Sequence, residues 1–348
     1  MTFPAEINLE DLDGTDGFSV TGLVGGGFRF GDGLGSAVAS LGDVNGDGFD
    51  DFIIGVPQAD PGDPARENAG VSYVIFGRDT SVDGNFDADF SLSDLDGTNG
   101  FAINGAAAGD YLGASVAGVG DVNGDGIADI AVGAPGGDPG GREGAGETYI
   151  IFGKDTEADG DFAAAIKVSD LDGTDGFVIN GVDGAPPPPG DGSGSAVSSA
   201  GDVNGDGIDD ILIGAPLADE PGSSIIGEAY VVFGKDTAED GDFASSIELS
   251  SLDGTNGFTI PGLDFQDTAG SSVSGGGDIN NDGVDDIVVS APRADNDDVS
   301  EGDNAGETYV IFGKDTSEDG DFDATVDLEA LGGSNGFILT GTELADFS

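Results

Sequence analysis

The sequence predicts an all-β protein, a β-propeller of four-stranded antiparallel blades, and three observations lead there. First, 66 of the 348 residues are glycine, and Asp-Gly and Asn-Gly pairs are frequent, so turns are numerous. Second, an Asp-x-Asn-x-Asp-Gly loop begins at 43, 121, 202 and 278, in steps of 78, 81 and 76 residues, which marks a repeat architecture. Third, each loop runs into a short apolar stretch stopped by proline, FIIGVP, IAVGAP, ILIGAP or IVVSAP, and such stretches read as strands.

One unit, taken in order, shows how the strands arise. GLGSAVASLG (33–42) is a strand of small residues, suited to the innermost position where blades converge. FIIGVP (52–57) is the strand leaving the loop, and a polar connection leads to a third strand, VSYVIFG (71–77). A second connection, through SLSDLDGTNG, reaches a fourth strand, FAING (101–105). Four strands in meander order make one blade. The boundaries that follow are 1–22 for the outer strand of a preceding or closing blade, 23–105, 106–181, 182–262 and 263–341 for four blades, and 342–348 for the start of a further one. The DGTxGF-type motif occurs five times against four loops, so the expectation is four blades of a larger ring, closed rings having typically four to eight.

The loops carry the chemistry. Asp43, Asn45, Asp47 and Asp51 place side-chain oxygens at loop positions 1, 3, 5 and 9, and Phe49 offers a backbone carbonyl at 7. The equivalents are Asp121, Asn123, Asp125, Ile127 and Asp129; Asp202, Asn204, Asp206, Ile208 and Asp210; and Asp278, Asn280, Asp282, Val284 and Asp286. Such a set suits a hard cation, and glycine at position 6 permits the sharp turn that gathers it. An EF-hand would need a glutamate at position 12, but Ile54, Val132, Ile213 and Val289 stand there, inside strands. The expectation is about four Ca²⁺, one per blade, with a structural role, because no base or nucleophile is paired with the loops. A second acidic pattern, Asp155…Asp159-Gly-Asp161 and its counterparts, reads more simply as a solvated turn than as further cation sites.

Composition narrows the function. There is no cysteine and no histidine, which excludes disulfides, cysteine nucleophiles, histidine bases and ordinary zinc sites. The formal charge is −60, and four Ca²⁺ on the 15 aspartates of the loops would bring it only to −52. So acid a surface repels nucleic acid and anionic membranes and suits a saline or divalent-rich medium. The first twenty residues have neither a basic nor an apolar segment of a Sec-type signal, and no apolar run approaches a membrane span. Export would then rely on a signal elsewhere, for instance a C-terminal one.

Together, Phe30-Gly31, the four D-x-N-x-D-G-x-x-D loops, and Gly55-Val-Pro57, Gly133-Ala-Pro135, Gly214-Ala-Pro216 and Ser290-Ala-Pro292 resemble the FG-GAP repeats of integrin α-subunit propellers and their bacterial relatives, over about residues 11–341. The Phe-Gly position departs from that pattern later, with Tyr111-Leu-Gly113 in the second unit. The resemblance implies a propeller of about seven blades, of which four are present here, calcium in the hairpin between the first two strands of a blade, and adhesion or ligand binding outside the cell. A secreted or cell-surface bacterial binding module for a glycan or an extracellular protein is the reading it favours. A spacer in a large exoprotein and a carboxylate-based hydrolase are the alternatives, although with 69 acidic residues a carboxylate pair distinguishes nothing. Phe18, Phe101, Phe177, Phe258 and Phe337 read as core residues of the outer strands, and Pro186–Pro189 as a stiff insertion.

Overall fold

The computed structural model describes residues 9–21, 32–61, 66–184, 190–219, 225–295 and 305–341. Phe30 and Gly31, Pro186–Pro189 and the segment 342–348 lie outside them. A short strand, β1 (Ser19–Thr21), comes first. The first repeat carries β2 (Ala37–Gly42), β3 (Asp51–Val56), β4 (Val71–Ile75), β5 (Asp89–Ser91) and β6 (Gly100–Asn104). The second carries β7 (Ser115–Gly120), β8 (Asp129–Ala134), β9 (Glu147–Ile151), β10 (Ala165–Lys167) and β11 (Gly176–Asn180). The third carries β12 (Ala196–Gly201), β13 (Asp210–Ala215), β14 (Glu228–Val232), β15 (Ser246–Glu248) and β16 (Gly257–Pro261). The fourth carries β17 (Ser272–Gly277), β18 (Asp286–Ala291), β19 (Glu307–Ile311) and β20 (Gly336–Thr340).

Four of these strands in each repeat form an antiparallel meander, β2-β3-β4-β6 and its three counterparts, so the blades of the propeller are present as the sequence predicts. The innermost strands β2, β7, β12 and β17 lie side by side in series. Strands β8 and β13 are buried along their whole length because neighbouring sheets cover both faces, which is why their sequences run apolar without alternation. The core therefore sits between sheets: Leu41, Val44, Ile53 and Phe101 of the first repeat pack with Val116, Ile130 and Phe162 of the second. A bulge between Ser40 and Gly42, repeated in every unit, ends the inner strand and tips the chain into the loop.

The connection between third and fourth strands does more than the sequence suggested. It reaches the preceding sheet and adds a short parallel strand to its outer side: β10 on β6, β15 on β11, and a Thr325–Thr259 bridge in the fourth repeat. In the first repeat β5 lies against β1 in the same way. Beside each added segment a phenylalanine stacks on the outer-strand phenylalanine of the previous repeat, Phe162 on Phe101 (4.6 Å), Phe243 on Phe177 (4.4 Å) and Phe322 on Phe258 (4.5 Å). Phe101, Phe177 and Phe258 are fully buried, which makes them core and not a ligand stripe.

A lysine closes each stack. Lys154, Lys235 and Lys314 lie over Phe162, Phe243 and Phe322 at 4.7, 4.9 and 4.8 Å, and Arg78 lies over Phe86 at 4.0 Å. Each lysine Nζ also donates to a backbone carbonyl seven residues on, as Lys235 does to Asp242 at 3.0 Å. Lys235→Met keeps the aliphatic stem but removes the cation–π contact and the hydrogen bond. Urea denaturation is expected to show a loss of roughly 1 kcal/mol.

Candidate metal centres in the hairpin loops

Each acidic loop folds locally by the same rule: its carboxylates accept the N–H groups that the tight turn leaves unpaired. In the first loop Asp43 accepts from Gly46 (2.8 Å) and Asp47 (3.1 Å) through Oδ1 and from Gly48 (2.7 Å) through Oδ2. Asn45 Oδ1 accepts from the Asp47 N–H at 2.9 Å, and Asp47 Oδ1 accepts from the Phe49 N–H at 2.9 Å. The Asn45 amide donates to Asp47 Oδ2 at 3.0 Å. The same bonds recur around Asp121, Asn123 and Asp125, and around Asp202 and Asp206. The fourth loop keeps the bonds from Asp282, Gly283 and Val284 to the side chains of Asp278, Asn280 and Asp282.

Position 9 has a distinct task. Asp51, Asp129, Asp210 and Asp286 are buried. One oxygen of each accepts from the N–H at loop position 2 and the other from the glycine after the third strand. For Asp129 these are Val122 (2.9 Å) and Gly153 (2.8 Å), and for Asp210 they are Val203 (2.9 Å) and Gly234 (3.0 Å). Each carboxylate thus ties the loop to the third strand of its own sheet. Burial pushes the Asp51 carboxyl up to about 7, against the Gly77 and Val44 N–H groups that pull it down. Burial raises Asp129 and Asp210 well above the usual carboxylate range, and Asp286 is raised too.

The five positions of each loop are therefore brought into one turn. Among the described residues, no group of three or more carboxylates closes on a common point as a formed metal cluster does. The donor chemistry nevertheless fits a hard cation. Each loop gathers three acidic side chains and an amide oxygen, and none of those carboxylates is ion-paired among the described residues. A divalent ion would supply the missing counter-charge. Asp43, Asn45, Asp47, Asp51 and the Phe49 carbonyl, with their equivalents, would hold it.

Sequence reasoning missed several residues around the loops. Asp155, Asp236 and Asp315 cap one-turn helices, α1 (Thr156–Asp159), α2 (Thr237–Asp240) and α3 (Thr316–Asp319), so the first acid of the second acidic pattern is a helix cap. Thr156, Thr237 and Thr316 reach the loop of the preceding repeat. The signal was present as a Lys-Asp-Thr triplet after each third strand, at 154–156, 235–237 and 314–316.

The opposite end of the sheets is also acidic. Asp110, Asp191 and Asp267 are buried where the chain enters the inner strands. Burial lifts Asp191 to about 7 and Asp267 to about 6, with Asp183, Glu228 and Asp219 adding repulsion at the first and Asp264, Glu307 and Asp295 at the second. In the third repeat a cleft of about 380 Å³ opens among Asp183, Asp191, Asp219, Glu228 and Tyr230. A carboxyl raised in the folded state favours folding most below its unfolded value near 3.8, and loses that contribution as pH climbs to its folded value. Without divalent ions, the melting temperature is therefore expected to fall steadily between about pH 4 and 7, measurable by calorimetry in a chelating buffer.

Fold and loops together define a β-propeller module built on acidic hairpins. The chain belongs to the FG-GAP repeat family: the FG-GAP repeat is matched at residues 34–75, 112–151, 193–232 and 269–311. The chain is 27% identical over 259 residues to integrin alpha-PS2 of Drosophila melanogaster, covering 73% of this chain and 15% of that protein. It is 27% identical over 263 residues to integrin alpha-V of Gallus gallus, covering 74% and 20%. It is 31% identical over 174 residues to phosphatidylinositol-glycan-specific phospholipase D of Bos taurus, covering 50% and 18%. The chain thus spans a fifth or less of each of these relatives. Among the described residues no helix is long and apolar enough to cross a membrane.

Proposed function

We propose that this chain is a non-catalytic binding module of the extracellular space, held rigid by one Ca²⁺ in each acidic loop. The observation that carries the reading is the division of labour between the two ends of the sheets. At the loop end the four repeats share one sequence pattern and the main hydrogen bonds within each loop. The connections from second to third strand, 58–69, 136–145, 217–227 and 293–305, whose described residues lie at the other end, differ most in sequence. Variable connections on a repeated rigid frame are where recognition is usually built. The integrin kinship supports a ligand that is a protein or a glycan outside the cell. The acidic cleft beside Asp191 and Glu228 favours one that presents cationic or hydrogen-bond-donor groups.

The test is a glycan array and a panel of immobilised extracellular matrix proteins, probed with the full chain in calcium and in EDTA. Capture of one ligand class in calcium, lost in EDTA and lost again when 136–145 is replaced by Gly/Ser of equal length, is the expected result. No capture across both panels with calcium bound would leave the chain a spacer.

A further inference from the structure

Among the described residues, the first three acidic loops are each held by the repeat that follows, and none holds the fourth. Lys154 donates its backbone N–H to the Val44 carbonyl at 3.0 Å. Thr156 gives both its N–H (2.9 Å) and its hydroxyl (3.0 Å) to the Asn45 carbonyl. Lys235 and Thr237 repeat this on Val122 and Asn123, as do Lys314 and Thr316 on Val203 and Asn204. The second and third loops gain one more tie: the Asp209 and Asp285 carboxylates accept from the Asp121 and Asp202 N–H groups at 2.9 and 3.1 Å. Ala128, which has no carboxylate, gives the first loop only its backbone N–H, to the Asp43 carbonyl at 3.4 Å.

Among the described residues nothing donates to the carbonyls of Ile279 or Asn280, and Ile279 is 46% exposed where Val44, Val122 and Val203 are fully buried. The sequence of the fourth repeat departs at two positions where this docking demands glycine. A Cβ on Gly46, Gly124 or Gly205 would lie 3.0, 2.9 or 2.8 Å from the Cα of Asp155, Asp236 or Asp315 in the next repeat. Asn281 stands there in the fourth loop, at φ +62°. A Cβ on Gly55, Gly133 or Gly214 would meet a carbonyl oxygen of the next repeat at 2.0 to 2.1 Å, and the fourth repeat has Ser290. The fourth loop therefore cannot receive a neighbour in the manner of the other three.

We propose that the first three loops are joints, in which a cation and the following repeat stabilise one another, and that the fourth, where Asn281 and Ser290 replace the glycines this docking needs, is a weaker site. This rests on reading the loops as calcium sites. The neighbour fixes the backbone of the position-3 ligand before the ion arrives, so less freedom is lost on binding. By linkage, the ion then strengthens the docking of the neighbour by the same factor.

The experiment is calorimetric titration of the metal-free full chain with calcium alone. Three equivalents are expected to bind about tenfold tighter than the fourth, the effect of roughly one or two net hydrogen bonds. Thr156→Val should move one equivalent into the weak class and speed amide hydrogen exchange at residues 43–49, while Thr156→Ser restores both. Thr237→Val repeats the test at the next joint should the first variant not fold. Four equal sites, or an isotherm indifferent to both valine variants, would overturn the joint and leave the calcium reading intact. No calcium binding at all would overturn both.

Discussion

Moved from millimolar calcium to EDTA, the chain is expected to melt more than about 10 °C lower. Each site occupied at a hundred times its dissociation constant stabilises the folded state by about 2.7 kcal/mol, so four sites contribute roughly 10 kcal/mol. The loops have reason to need this: each gathers three carboxylates with no ion pair among the described residues, within a chain of formal charge −60. Sodium chloride separates site binding from general screening. High salt in EDTA should recover part of the loss, because it weakens repulsion at the exposed surface and far less at Asp51, Asp129, Asp210 and Asp286, which are buried. Scanning calorimetry of the same sample in calcium, EDTA and EDTA with salt decides it. Equal melting temperatures in the first two would remove the ion from the account.

Asp210→Ala is expected to cost about 3–5 kcal/mol with or without calcium. The side chain is fully buried, and its two oxygens satisfy the N–H groups of Val203 and Gly234. Truncation leaves two buried donors unpaired, each at about 1–3 kcal/mol. Asp206→Asn is the informative contrast. Among the described residues its carboxylate accepts from the Ile208 N–H of its own loop, so the change should weaken calcium binding and leave the melting temperature in EDTA nearly unchanged. Guanidinium unfolding of both variants in both buffers separates the residue that ties the sheet together from the one that serves the ion. If Asp210→Ala destabilises only in calcium, position 9 acts solely as a ligand.

Much of this architecture was legible in the sequence because a repeat prints its local rules several times. The run IAVGAP announced β8, and the spacing of Asp121, Asn123, Asp125 and Asp129 announced a turn able to gather oxygens. What stayed hidden joins residues far apart in the chain. Thr156 meets Asn45 across 111 positions, and nothing near either residue reveals the contact. The short parallel strand at Ala165–Lys167 was unreadable for a similar reason: three residues have no periodicity, and their partner belongs to another unit. Asn281 and Ser290 read as ordinary variation until the neighbouring backbone shows why glycine stands at the same place elsewhere.

The parallel segments have a consequence for solubility. A sheet that ends in a bare strand offers a row of unpaired amides to any other chain, and natural proteins shorten, charge or cover such edges. Here β6 and β11 are each shielded by only three residues, and each shield carries a charge, Lys167 in one and Glu248 in the other. A foreign strand that approached would find too short a template and a charged side chain in its path. The array thereby guards against templated aggregation with the same segments that fasten its units together.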